Sequence, residues 1–383
     1  MIKLADNTIS REDTEALAAW LLQDPVPRLT MHKLTIEFEE KWSNYIGSKY
    51  SVFVNSGSSA ILLGLYGLLE GGYLKNKKVV VPGLSWVTDV SSCMQIGLDP
   101  ILCDCNLTDL SVDLEHLEAL FKEHSPACMV LVSVLGLVPN MDKVTDLCDR
   151  YGVILAEDVA ESTGSKFQGK NLGTFGKVSF FSLFYGHHLS TIEGGMISTD
   201  DHKLYELLVS LRSHGWDRNL SEKTQKTLRA QWDVGNFDSY YTFYYPGFNL
   251  RSTDLQAFLG LRQLDKADGY IAQREENFLT YQKSIQNNEL TITIREGDFI
   301  SNFAYPVVSK DRNEIVQSLI ENEVEVRPLI AGSIGLSPFW IKRYGITNLD
   351  NCNLINDYGF YIPNHHGLTS EDIKFVSDVI NKV

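Results

Sequence analysis

From residue 50 to residue 199 the chain repeats one pattern: a short apolar run, a break rich in Gly, Ser or Pro, then a longer segment with helical spacing of its apolar residues. The runs lie in VFVNSGSSAILLGLYGLL, KVVVPGLSW, IGLDPILCDC, CMVLVSVLG, YGVILAEDVA, VSFFSLFY and GGMIST. Short strands separated by helices predict a mostly parallel sheet covered on both faces. The expected class is therefore α/β, with ligands gathering at the carboxyl ends of the strands. The last two runs, VSFFSLFY and GGMIST, meet at a hairpin-like junction.

The flanks read differently. Residues 13–48 are helical with a break at Pro25 and Pro27. Residues 220–246, rich in Lys, Gln, Asp and aromatics, read as an excursion from the core. A long helical stretch follows, interrupted near Gly269, and leads into a mixed strand and helix region ending at Val383. A chain of 383 residues exceeds one ordinary core. The expected division is a large domain of residues 1–250 and a smaller α+β domain of residues 251–383.

A formal charge of −15 argues against non-specific binding to nucleic acid or to an anionic membrane surface. No run approaches the roughly 20 apolar residues of a membrane span. The first twenty residues, with charges at Lys3, Asp6, Arg11 and Glu12, lack the apolar centre of a signal peptide, so a cytoplasmic location is expected. Six Cys are spread singly through apolar segments, apart from Cys103-Asp104-Cys105, with no C-x-x-C pair. They read as buried free thiols, and no metal is assigned.

Three strand-end motifs could carry chemistry, and each has a plainer reading. Asn55-Ser56-Gly57-Ser58-Ser59-Ala60 precedes an apolar helix: free amides and hydroxyls there suit a phosphate, but also ordinary capping. Asp158, in AEDVA after YGVIL, could hold a proton on a heteroaromatic nitrogen or cap a helix. Trp86, after VVVPGLS, could cover a flat ring or fill a core. Two adjacent histidines, His187 and His188, follow VSFFSLFYG and precede Glu193-Gly194-Gly195; in isolation they would be polar loop residues.

Together, NSGSSA, VPGLSWVT, AEDVAEST, GTFGKVSFFS, the EGG of 193–195, SHGWDRN and PGFNLRSTDLQAFLGLRQL resemble the sugar-aminotransferase (DegT/DnrJ/EryC1/StrS) group of fold-type I pyridoxal phosphate enzymes over nearly the whole chain. The resemblance implies the aspartate aminotransferase-like fold, with the large domain binding the cofactor. By likeness, Gly57, Ser58, Ser59 and Ser182 bind the phosphate, Trp86 stacks on the ring and Asp158 meets the ring nitrogen. Glu161 joins the cofactor set, and Asn249 reaches the phosphate from the second subunit of a homodimer. Tyr185, His214, Arg218 and Arg251 are the substrate-side candidates. Either arginine could hold the donor carboxylate, or pair with a structural one.

In the aminotransferases of this group, a lysine six residues before the Glu of EGG links covalently to the cofactor. Here that position is His187, which cannot form the link, so the cofactor is expected to be held non-covalently. Imidazole titrates near neutrality and can still move a proton. A histidine pair at this place resembles the branch of 3-dehydratases of nucleotide-linked 4-keto-6-deoxy sugars, with GDP favoured by overall likeness. That branch uses L-glutamate to form pyridoxamine phosphate, removes the C3 hydroxyl of the sugar and releases ammonia. His188, expected to point away on an extended backbone, is read as structural. A cousin carries an iron-sulfur cluster on cysteines after the histidine pair; this chain has none between His188 and Cys352, so no cluster is expected. The rival readings are an aminotransferase with an unusual base and a silent nucleotide-sugar-binding relative. His365 and His366 have no assigned role.

Overall fold

The computed structural model describes residues 1–383. The apolar runs become β1 (Tyr50–Val54), β2 (Lys78–Pro82), β3 (Asp99–Cys103), β4 (Cys128–Val132) and β5 (Ile154–Asp158). A small hairpin, β6 (Lys166–Phe167) and β7 (Lys170–Asn171), precedes β8 (Val178–Ser182) and β9 (Gly195–Thr199). Seven strands form one sheet in the order β1-β9-β8-β5-β4-β2-β3. Only β9 runs against the others, because a direct connection from β8 can return only antiparallel. That connection carries the histidine pair. Every residue of β4, β8 and β9 is buried, as a sheet covered on both faces requires.

The helix Lys33–Ile46 packs against the helix Asp254–Leu264. Asp254 fastens the two, accepting N–H bonds from His32 at 2.7 Å, Leu34 at 3.1 Å and Thr35 at 3.0 Å. The next helix, Ala267–Ser284, packs instead on Ser370–Asn381 of the second lobe. That lobe is built on an antiparallel sheet ordered β10 (Ala304–Val308), β12 (Gly359–Pro363), β11 (Arg327–Pro328). We therefore propose the turn at Asp265 and Lys266 as the division, rather than a point near 250. The expected helix break near Gly269 falls at this turn. The chain start also belongs with the second lobe, since Ile2 bridges Val324.

The lobes are joined at Asp104, whose carboxylate accepts from the amides of Asn351 at 3.1 Å and Cys352 at 2.9 Å, capping the helix Asp350–Tyr358. Asp104, Cys105 and Cys352 gather within 4.8 Å, but the capping occupies the carboxylate. All six thiols are free and buried. The 220–246 excursion contains an exposed helix, Glu222–Gln231, and a short turn of 3-10 helix, Asp238–Tyr241. No helix is long and apolar enough to cross a membrane.

Candidate active site

Three strand ends converge on one turn. Gly195, at the start of β9, pairs with Val54 of β1 on one side and Ser182 of β8 on the other. A side chain at Gly195 would strike the Ser56 carbonyl at 2.2 Å, and one at Gly57 would strike Ser182 Cβ at 2.7 Å. Glycine at both places lets the start of the helix Gly57–Glu70 sit directly on Ser182. Ser56 caps that helix by accepting the Ser59 amide at 3.1 Å. The amides of Gly57 and Ser58 have no acceptor within the chain, and Ser58 Oγ lies 3.2 Å from Thr88 Oγ1. Gly57, Ser58, Ser59 and Ser182 thus form one cradle of donors at a helix start, the arrangement that holds a phosphate.

Beside it lies an acidic floor. Asp158 ends β5 and is buried, its Oδ1 accepting the Ala160 amide at 2.9 Å. Glu157, one residue earlier, faces the other way and accepts the amides of Gly173, Phe175 and Gly176 at 2.8, 2.8 and 2.6 Å. Adjacent residues of a strand alternate in direction, so one carboxyl is structural and the next faces the strand-end site. Glu161 accepts the Leu135 amide at 2.8 Å. Asp89, in the first turn of the helix Val87–Gln95, is fully buried with neither oxygen bonded to a donor. No Lys or Arg forms an ion pair with Asp89, Asp158 or Glu161. Burial raises all three carboxyls: Asp158 to about 6, Glu161 to about 8, and Asp89 well above the usual range with Asp158 adding to the effect. A buried group of carboxyls without a cation, with Asp158 the least raised of those given a value, fits a protonated ring nitrogen. Trp86, the residue before that helix, is 55% exposed rather than packed in the core.

The backbone from Tyr185 to His188 is a turn, closed by His187 N donating to Phe184 O at 3.0 Å, so the expected extended alternation does not apply. The two rings are nevertheless separated. His187 Nδ1 lies 2.7 Å from the Ala160 carbonyl, two residues beyond Asp158. A carbonyl only accepts, so Nδ1 carries the proton and Nε2 keeps its lone pair. Burial lowers the imidazole to about 4, with the Ala160 bond opposing and the Arg274 cation assisting, so the ring is neutral at pH 7. The Phe303 ring lies 5.0 Å from it, centroid to centroid. His188 is buried against the Ser301 carbonyl at 3.0 Å.

Three of the remaining candidates gather around Trp216, and Arg251 among them bridges Val54 at the end of β1. Arg218 donates to the Tyr240 carbonyl and lies over the rings of Trp216 at 4.1 Å and Tyr241 at 5.1 Å. Arg251 lies 5.7 Å from the same Trp216 ring and donates to Asn249 Oδ1 at 2.9 Å. Neither forms an ion pair with a carboxylate of its own chain. Arg218, Phe237, Asp238, Tyr240, Tyr241 and Thr242 line a cavity of about 530 Å³. His214 sits beside Trp216, ring centroids 5.3 Å apart. Tyr185, 42% exposed, projects from the histidine turn.

A cradle of donors at a helix start beside an acid at the end of a central parallel strand is what a fold-type I pyridoxal phosphate transferase fold presents. The chain belongs to the DegT/DnrJ/EryC1/StrS aminotransferase family, whose model matches residues 8–381. It is 31% identical over 364 residues to a GDP-4-keto-6-deoxy-D-mannose 3-dehydratase of Yersinia pseudotuberculosis, covering 92% of each chain. An Escherichia coli GDP-4-keto-6-deoxy-D-mannose-3-dehydratase with bound hydrated PLP superposes with a TM-score of 0.90 at 28% identity, covering 99% of both chains. A GDP-4-keto-6-deoxymannose-3-dehydratase holding a trapped PLP-glutamate geminal diamine superposes with a TM-score of 0.89 at 28% identity, covering 99% of this chain and 100% of that one.

Asp89, Phe303 and Arg274 escaped the sequence reading. Asp89 looks like an ordinary acid at a helix start, and nothing local signals its burial. Phe303 and Arg274 reach the histidines from the second lobe, a contact only the tertiary fold creates.

Proposed function

We propose that the chain is a pyridoxal/pyridoxamine phosphate-dependent 3-dehydratase of a nucleotide-linked 4-keto-6-deoxy sugar, GDP-linked by similarity to its relatives, with L-glutamate as amino donor. The observation that carries this reading is His187, a neutral imidazole anchored through Nδ1 with Nε2 free, at the family's lysine position. When bound, the cofactor supplies an amine for the sugar ketone and a ring that accepts an electron pair. Gly57, Ser58, Ser59 and Ser182 bind its phosphate, Trp86 covers its ring, and Asp158 holds a proton at the ring nitrogen. Glu161 completes the acidic wall. His187 Nε2 takes a proton and returns it to the C3 hydroxyl oxygen, which leaves as water. Phe303 shields the imidazole from solvent on one side.

Arg218 or Arg251 grips the carboxylate of L-glutamate, while His214 and Tyr185 border the sugar. Asn249 serves the neighbouring subunit's phosphate in a homodimer, and the exposed aromatic rings of Phe237, Tyr240, Tyr241 and Phe243 support this arrangement. Six free thiols support a reducing compartment, the cytoplasm. Replacing His187 by Asn tests the base: dehydration falls roughly 10²–10⁴-fold while cofactor affinity stays within about threefold of wild type. Near wild-type turnover in His187→Asn would remove His187 from the chemistry.

A further inference from the structure

We propose that Asp89 is the proton-carrying partner of Asp158, so that the acid at the end of β5 works as one member of a buried carboxylic acid–carboxylate pair. The inference rests on the reading that Asp158 faces the cofactor's ring nitrogen. Asp89 has no exposed surface, neither of its oxygens meets a donor, and no cation pairs with it. A buried carboxylate so placed would be strongly unfavourable. Asp158 is the carboxyl that bears on Asp89 by charge and hydrogen bonding, and two such neighbours relieve this by sharing one proton.

The proton belongs on Asp89. Asp158 already accepts the Ala160 amide, which stabilises its charged form, and Glu161 likewise accepts the Leu135 amide. Asp89 has no such donor and gains most by becoming one. Burial holds both carboxyls above the usual range. The other groups facing the cluster are the Cys93 thiol on the same helix, Glu161, Tyr361 of β12, and His187 through the Ala160 carbonyl. None gives Asp89 a positive partner.

The pair has a consequence for the electron sink. A carboxylic acid donating to Asp158 spreads its negative charge and makes it a weaker base. Asp158 then stays a carboxylate beside a protonated ring nitrogen instead of taking that proton for itself. Asp89 is accordingly a positioning residue that acts through Asp158.

Infrared difference spectra of cofactor-free protein at pH 7, wild type against Asp89→Asn, test the pair without any turnover. Loss of one carboxylic-acid C=O band in Asp89→Asn is expected; an unchanged carboxylic-acid region would overturn the proposal. Pyridoxal phosphate titrations followed by absorbance add a second arm. Asp89→Asn, which still donates, binds within about threefold of wild type, whereas Asp89→Leu weakens binding about tenfold. Wild-type affinity in a folded Asp89→Leu would also overturn it, and if that variant fails to fold the infrared result stands alone. Should Asp158→Asn bind cofactor normally while the Asp89 band is present, the assignment of Asp158 to the ring nitrogen fails and the carboxyl pair survives.

Discussion

The strand-end floor and the exposed edge are opposites in charge. The floor gathers Asp89, Asp158 and Glu161 in the interior without a cation. The edge sets Arg218 and Arg251 on one indole, Trp216, without a carboxylate, in a chain whose net charge is −15. Arginines without a carboxylate partner suit an anionic ligand. Unpaired buried acids are arranged for a proton or a cationic ring. On the proposed reading the two regions would divide the work: the floor would set proton positions during chemistry, and the edge would set which molecules are held.

If that division is right, floor variants act on kcat and edge variants on KM. The largest effect is expected from Asp158→Asn, which lowers kcat by roughly 10²–10³ in steady-state assays with little change in KM for glutamate. Arg218→Ala does the reverse: KM for L-glutamate rises about ten- to hundredfold with a smaller change in kcat, the loss of a charge-assisted contact. A KM effect confined to Arg251→Ala would move the anion site along the edge without abolishing it.

The floor also has a pH signature in the cofactor-free protein. Glu161 titrates near 4.5 when unfolded and at about 8 when folded. A folded value above the unfolded one means that the stability it confers is full below about 4.5 and is lost as pH rises towards 8. Glu161→Gln should flatten this dependence, raising the melting temperature at pH 9 by about 2 °C or more relative to wild type, on the scale of 1 kcal/mol. Smaller still, Trp86→Ala weakens pyridoxal phosphate about threefold to tenfold by equilibrium dialysis, the loss of a stacking surface.

The sheet was legible because each strand carries its own apolar run and each strand end its own break. The phosphate cradle could be read for the same reason: NSGSSA is contiguous, and the helix start follows directly from it. Ser182 joined it only by resemblance, and its pairing with Gly195 at the start of β9 brings it against Gly57. The histidines show where such reading stops. An alternating backbone was expected through His187 and His188, but Gly186 lies in a turn, and the rings part because each finds a different carbonyl, Ala160 or Ser301. Those acceptors lie in distant parts of the sequence, as do Phe303 and Asp89. The proposed lobe division has a related reason: the sequence shows a break near Gly269 in one long helical stretch, and only packing shows that the helices Asp254–Leu264 and Ala267–Ser284 face different partners.

The most direct measurement supplies the purified protein with pyridoxal phosphate, L-glutamate and GDP-4-keto-6-deoxymannose, then assays ammonia and determines the mass of the sugar product. The account predicts ammonia released in step with a sugar lighter by one oxygen atom. An amino sugar formed without ammonia would contradict it and make the chain an aminotransferase in which His187 plays another part.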